Sequence, residues 1–133
     1  MYSIQNIGAF KAAAIESERT GKPIFVLFTS PETCVFCRNI EAGILSSQAF
    51  EEWAEEKIAV RVEFSKSDSL EENLEKRNLR EEFEAEGFPS AFIAICEGGE
   101  VYSLGEVSLD SMEDLEESEQ NVRSINEKNR IFL

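Results

Sequence analysis

With 133 residues, a net charge of −14 and no histidine, the chain excludes several functions before any motif is read. The charge repels nucleic acid and anionic membrane surfaces, the longest apolar runs are too short to insert into a bilayer, and the missing histidine removes Ser/His and Cys/His catalysis. Three cysteines fall short of the four ligands of a closed zinc site, and there is no glycine-rich phosphate loop, so neither a metal nor a cofactor is expected.

A hydrophobic content of 42% over this length buries roughly two-thirds of the unfolded surface, which suffices for a single domain over 1–133. The elements are expected to alternate. Residues 5–20 read as a helix ended by Thr20-Gly21,. Ile24–Phe28 is apolar on both faces, as a buried central strand should be,. A helix then opens at Cys34, with Ile40 and Ile44 on the side of Cys37, and a second helix follows Ser47 with Phe50 and Trp53 on one face,. Ile58, Val60, Val62 and Phe64 alternate with Ala59, Arg61 and Glu63, which predicts a half-solvated strand,. Ser69 and Glu72 form a capping box for a charged helix that presents Leu79 and Phe83 inward and stops at Gly87,. Ala91–Ile95 and Val101–Leu104 flank Gly98-Gly99 as a hairpin,. Ser111 and Asp114 read as a second capping box, opening a last helix with Leu115, Val122 and Ile125 as its apolar stripe,. The seven acidic residues between Glu106 and Glu119 read as a solubilising surface. Met1–Phe10 lacks the basic start and apolar core of a signal peptide,, so the expectation is a cytoplasmic protein or one whose leader has been removed.

Cys34-Val35-Phe36-Cys37 carries the chemistry. Two thiols three positions apart at a helix start can close a disulfide, and the first meets the positive end of the helix dipole, which stabilises a thiolate. The thiolate is the reactive species in exchange, so a strand leading into this motif reads as a redox centre. A static disulfide is the structural alternative. Cys96 is expected to be a buried small hydrophobe at a strand end.

The order α-β-α-α-β-α-β-β-α, the CxxC after the first strand, and Gly87-Phe88-Pro89-Ser90 before a later strand together resemble the thioredoxin fold: an α/β domain with a central mixed sheet flanked by helices, here with an N-terminal helix and an extra helix after the CxxC helix. The resemblance covers residues 5–126. Lys22-Pro23-Ile24-Phe25-Val26, Cys34-Val35 with Cys37 and Glu41, and Ile44–Phe50 are similar to segments of the thioredoxin_7 and DsbD C-terminal-domain type. It implies a thiol–disulfide oxidoreductase, a reductase or isomerase. Such a protein exchanges with protein thiols and disulfides and an upstream redox partner, as a monomer, with an extracytoplasmic lean. It also implies that Pro89 is a cis-proline beside the sulfurs.

In this reading Cys34 attacks and Cys37, one turn further in, resolves the mixed disulfide. Pro89 and Phe88 receive an extended partner segment, with Val35, Phe36 and Phe88 as an apolar rim. The sequence departs from thioredoxin at two points. Thr33 replaces the tryptophan before the first cysteine, following the one-residue insertion at Pro31-Glu32, and is expected to cap the helix. Leu27 replaces a buried aspartate, so Glu41 is the candidate proton acceptor for Cys37. The second reading is a thioredoxin-fold interaction module with a structural CxxC disulfide and an acidic binding surface.

Overall fold

The computed structural model describes residues 1–125 and 127–133; Asn126, where the thioredoxin resemblance ends, lies outside them. Ile24–Thr29 forms β2, and every one of its residues is buried, because it is paired on both edges and covered on both faces. It runs parallel to β3 (Ile58–Glu63), with Ile24 opposite Ile58. On its other edge it runs antiparallel to β4 (Ser90–Glu97), with Phe28 opposite Ser90. Gly98 and Gly99, both at positive φ, turn β4 into β5 (Glu100–Val107),. Two short edge strands complete the sheet: β1 (Tyr2–Ser3) beside β3 and β6 (Asn129–Ile131) beside β5. The strand order is β1-β3-β2-β4-β5-β6.

The period of two along β2 divides the core between the faces. Ile24, Val26 and Phe28 meet α1 (Ile7–Thr20) and α4 (Leu70–Glu82) through Phe10, Leu79 and Phe83. Phe25 and Leu27 meet Phe50 and Trp53 of α3 (Gln48–Glu55) and Leu115 of α5 (Met112–Ser124). Edge-to-face contacts knit each side, Phe28–Phe83 at 5.6 Å and Phe25–Trp53 at 5.2 Å,. The short α2 (Val35–Ala42), followed by a 3₁₀ turn at Ile44–Ser46, adds Ile40 and Ile44 to the second face. The expected α/β architecture is borne out.

Three local expectations are corrected. The capping box at Ser69 and Glu72 is present, but α4 ends at Glu82 rather than at Gly87. Glu84 adopts the left-handed conformation, φ 58°, and the Ala85 N–H turns back to the Arg80 carbonyl at 3.2 Å, a helix stop made without glycine. Ala59 is buried rather than solvated, since α3 covers that face of β3. In α5 Leu115 is buried but Ile125 is exposed; it follows the helix in extended conformation. The buried position one turn after Leu115 belongs to Glu119, whose carboxylate accepts from Trp53 Nε1 at 3.0 Å and pairs with Lys57 Nζ at 3.2 Å. Lys57 also lies 4.4 Å from the Trp53 ring centroid. One acid in a strongly acidic helix thus docks α5 onto α3.

Glu119→Ala leaves the buried Lys57 ammonium without its partner and should lower the urea-derived stability by about 3–5 kcal/mol. Glu119→Gln, which keeps an acceptor for Trp53, should cost clearly less. Equal losses for the two variants would show that the charge on Glu119 carries the whole effect and the acceptor it offers Trp53 contributes nothing.

Candidate active site

β2 ends at the C-terminal edge of the sheet and hands the chain to a tight loop. The Thr33 N–H donates to the Ser30 carbonyl at 3.1 Å, and the Ser30 and Thr33 hydroxyls are 2.8 Å apart. Arg38 Nη1 reaches back to the Pro31 carbonyl at 2.7 Å. Glu32 staples this loop to the segment after β3: its carboxylate accepts the Lys66 N–H at 2.9 Å and the Ser65 hydroxyl at 2.7 Å. Those two donors hold its carboxyl below the usual range,. The extra residue before the dithiol is therefore anchored.

The helix cap is Cys34, not Thr33. Cys34 sits in extended conformation, φ −125° and ψ 111°, and its sulfur accepts the Cys37 N–H at 3.1 Å. Thr33 is instead engaged with Ser30, one residue too early to reach the orphan amides of the first turn,. The nucleophile candidate itself thus takes the place of a capping oxygen, so a helix amide points at the atom that would bear charge. The Cys34 thiol also lies 3.5 Å from the Phe88 carbonyl, and the Phe88–Pro89 peptide is cis.

Cys34 and Cys37 are free thiols in this structure; Cys34 is half-buried and Cys37 buried. The Cys37 sulfur receives the Ser30 N–H at 3.4 Å. Burial pushes its pKa up, and the Cys34 sulfur adds to this, while the Ser30 amide and the Thr29 hydroxyl pull the other way,. Thr29 closes β2 with its Oγ1 buried and without a hydrogen-bond partner.

Val35 and Phe36 stand 58% and 72% exposed beside Cys34. Phe36, Ile40, Phe88, Pro89 and Leu109 line a groove of about 590 Å³, rimmed by Glu106 and Asp110. Phe88 packs against Phe64 with ring centroids 5.2 Å apart, and the Arg80 guanidinium covers it at 4.3 Å. Glu41 lies on α2 but its carboxylate pairs with Arg61, which also holds Glu63. Arg61 stands opposite Leu27 in the parallel ladder, so this ion cluster adjoins the strand position that carries no acid. Cys96 is half-buried at the far end of β4 rather than enclosed, and its sulfur is 3.8 Å from Glu18 Oε1. Partial burial and Glu18 raise its pKa.

Sequence reasoning singled out the two cysteines, Pro89 and the rim, and passed over Thr29, Ser30, Glu32, Arg61 and Arg80. The one available signal was Thr29, the only polar residue in an otherwise apolar strand.

A mixed sheet with a dithiol at the head of its first crossover helix, facing a proline loop before the antiparallel strand, defines the thioredoxin type of fold. The chain belongs to the thioredoxin-like domain family, which matches residues 10–118. It is 29% identical over 98 residues to the disulfide bond reductase DsbH of Chlamydia pneumoniae, a match covering 71% of this chain and 59% of that protein. Among solved structures, a DsbH oxidoreductase superposes with a TM-score of 0.71 at 21% identity, covering 84% of this chain and 79% of that one. A thioredoxin from Thermus thermophilus gives 0.63 at 17% identity over 94% of this chain and 86% of that one. These two likenesses speak for the fold.

Limited alkylation of the reduced protein, followed by peptide mapping, should modify Cys34 well before Cys37. The buried thiol of Cys37 should react only at alkaline pH, where its thiolate forms. Cys37 reacting first would reverse the roles.

Proposed function

We propose that Cys34 and Cys37 form the dithiol of an oxidoreductase that reduces disulfides in protein partners. The observation that carries this is the placement of the Cys34 sulfur, which caps its own helix through the Cys37 N–H and lies against the Phe88 carbonyl beside Pro89. The Cys34 thiolate attacks one sulfur of the partner disulfide; the new bond forms as the partner's S–S bond breaks, and the departing sulfur takes a proton from water. Cys37 then loses its proton and attacks Cys34, closing the Cys34–Cys37 disulfide and releasing the second partner thiol. An upstream dithiol restores the reduced form. The partner's extended segment lies along Phe88 and Pro89, with Thr33, Val35 and Phe36 around the reacting sulfur. The reductive direction is supported by the name of the Chlamydia pneumoniae relative, and the family resemblance supports a place outside the cytoplasm. Among the described residues no helix is long and apolar enough to cross a membrane.

Glu41 is the proposed acceptor for the Cys37 proton. Its carboxylate is held by Arg61, so taking up the proton competes with that ion pair and the second step is slow at neutral pH. The reading as an interaction module with a static disulfide draws on two departures, the apolar Leu27 where an acid would be expected and Thr33 where a tryptophan would be.

Cys37→Ala removes the resolving thiol. It should leave the protein joined to its partner through Cys34, visible as a band lost on reduction, and Cys34→Ala should abolish that band. An active wild type with no such adduct in Cys37→Ala would contradict protein substrates. Glu41→Gln should slow resolution of a preformed Cys34 mixed disulfide several-fold near neutral pH, within the roughly 10²–10⁴ range of general-base effects. An unchanged rate would remove Glu41 from the mechanism.

A further inference from the structure

Among the described residues two buried side-chain polar atoms lack a hydrogen-bond partner, Thr29 Oγ1 and Arg80 Nε; Arg80 stacks on Phe88, and Thr29 ends the strand that leads into the dithiol loop. Buried hydroxyls are nearly always paired, because an unpaired one keeps its full desolvation cost. Thr29 has no exposed surface, and the chain runs directly from it into Ser30, whose N–H already points at the Cys37 sulfur at 3.4 Å. A hydroxyl near that sulfur gains little while it is a neutral thiol, a weak acceptor. It gains a charge-assisted bond once the sulfur is a thiolate.

We propose that Thr29 is the positioning residue of the resolving step, its hydroxyl donating to the Cys37 sulfur as that sulfur gives up its proton. The bond made and broken are those of the second step above; Thr29 stays protonated and supplies a dipole where Leu27 supplies none. The kinetic part of this inference rests on the proposed oxidoreductase function. The proposed hydrogen bond to the Cys37 thiolate does not.

The direction in which the Thr29 hydroxyl acts on Cys37, towards a lower pKa, agrees with this geometry. The charged and titratable groups carried by the elements around Cys37 are few. Cys34, at the head of α2, acts against ionisation, and Arg38 of α2 is turned to the Pro31 carbonyl. Glu41 of α2 is tied to Arg61 of β3, which also holds Glu63, the residue opposite Thr29 in the ladder. Across the proline loop, Arg80 of α4 is stacked on Phe88. Thr29 also has a purely structural reading as a β-branched residue that suits a strand. Valine satisfies that reading equally well, so it separates the two.

The test uses Thr29→Val and Thr29→Ser. Cys37 is titrated by thiolate absorbance in a Cys34→Ala, Cys96→Ala background, where it is the sole thiol of the chain's three. Thr29→Val should raise the midpoint by about one pH unit, and in the otherwise intact protein slow mixed-disulfide resolution near neutral pH about tenfold, the size of one hydrogen bond to a charged group. Thr29→Ser should restore both. A midpoint unmoved in a Thr29→Val protein with unchanged circular dichroism overturns the proposal. A moved midpoint in a protein that shows no exchange even in its wild-type form would instead uphold the contact and overturn the oxidoreductase reading.

Discussion

Phe28 of β2 lies opposite Ser90 of β4 in an antiparallel ladder, and the site depends on that pairing. The register carries the ends of two segments, Thr29–Ser30 and Phe88–Pro89, to the same edge of the sheet. The first turns into the dithiol helix and the second presents its carbonyl to Cys34 at 3.5 Å. The ladder is held because β2 is buried on both faces. A slip of one residue would send Phe25 and Leu27 to the side built for Val26 and Phe28, and both cores are closed by aromatic edges that would not fit. Core packing on β2 is therefore also what aims the sulfurs.

Within that frame the two thiols are set apart by their surroundings. Cys34 is half-buried, receives a helix amide and borders an open groove. Cys37 is enclosed, and burial favours its neutral form. The asymmetry suits an attacking sulfur and a reserve sulfur, and it has a cost at Cys37, whose proton must leave an apolar place. With Leu27 in the strand, β2 itself carries no carboxylate. The nearest ionic cluster is Glu41–Arg61–Glu63, bridging α2 and β3. Glu32 and Arg38 brace the loop from outside, so the dithiol sits on a fixed support.

Much of this was legible in the sequence, for identifiable reasons. The apolar run of β2, the Ser69–Glu72 and Ser111–Asp114 helix starts and the Gly98-Gly99 turn are local signals, and the structure realises each of them. The edge strands β1 and β6 were not legible. At two and three residues, mostly exposed, they carry no alternation and exist only because β3 and β5 offer free edges. Glu119 was read as solvated because nothing local distinguishes it from its acidic neighbours; its partners, Trp53 and Lys57, come from a distant helix and its flank. A hydroxyl is the usual cap, which favours Thr33, whereas the fold starts the helix one residue later and uses sulfur. Thr29 reads as an ordinary strand residue, and only its orphaned hydroxyl beside Cys37 sets it apart.

The central claim is that Cys34 and Cys37 cycle between dithiol and disulfide rather than hold a permanent bond. Equilibration of the protein with glutathione buffers of graded ratio, read by the fraction of Cys34–Cys37 disulfide, tests it most directly. The account predicts a midpoint within the span of working thioredoxin-fold couples, roughly −120 to −270 mV. A potential below about −300 mV, where glutathione cannot open the bond, is the mark of a structural disulfide and would contradict the account.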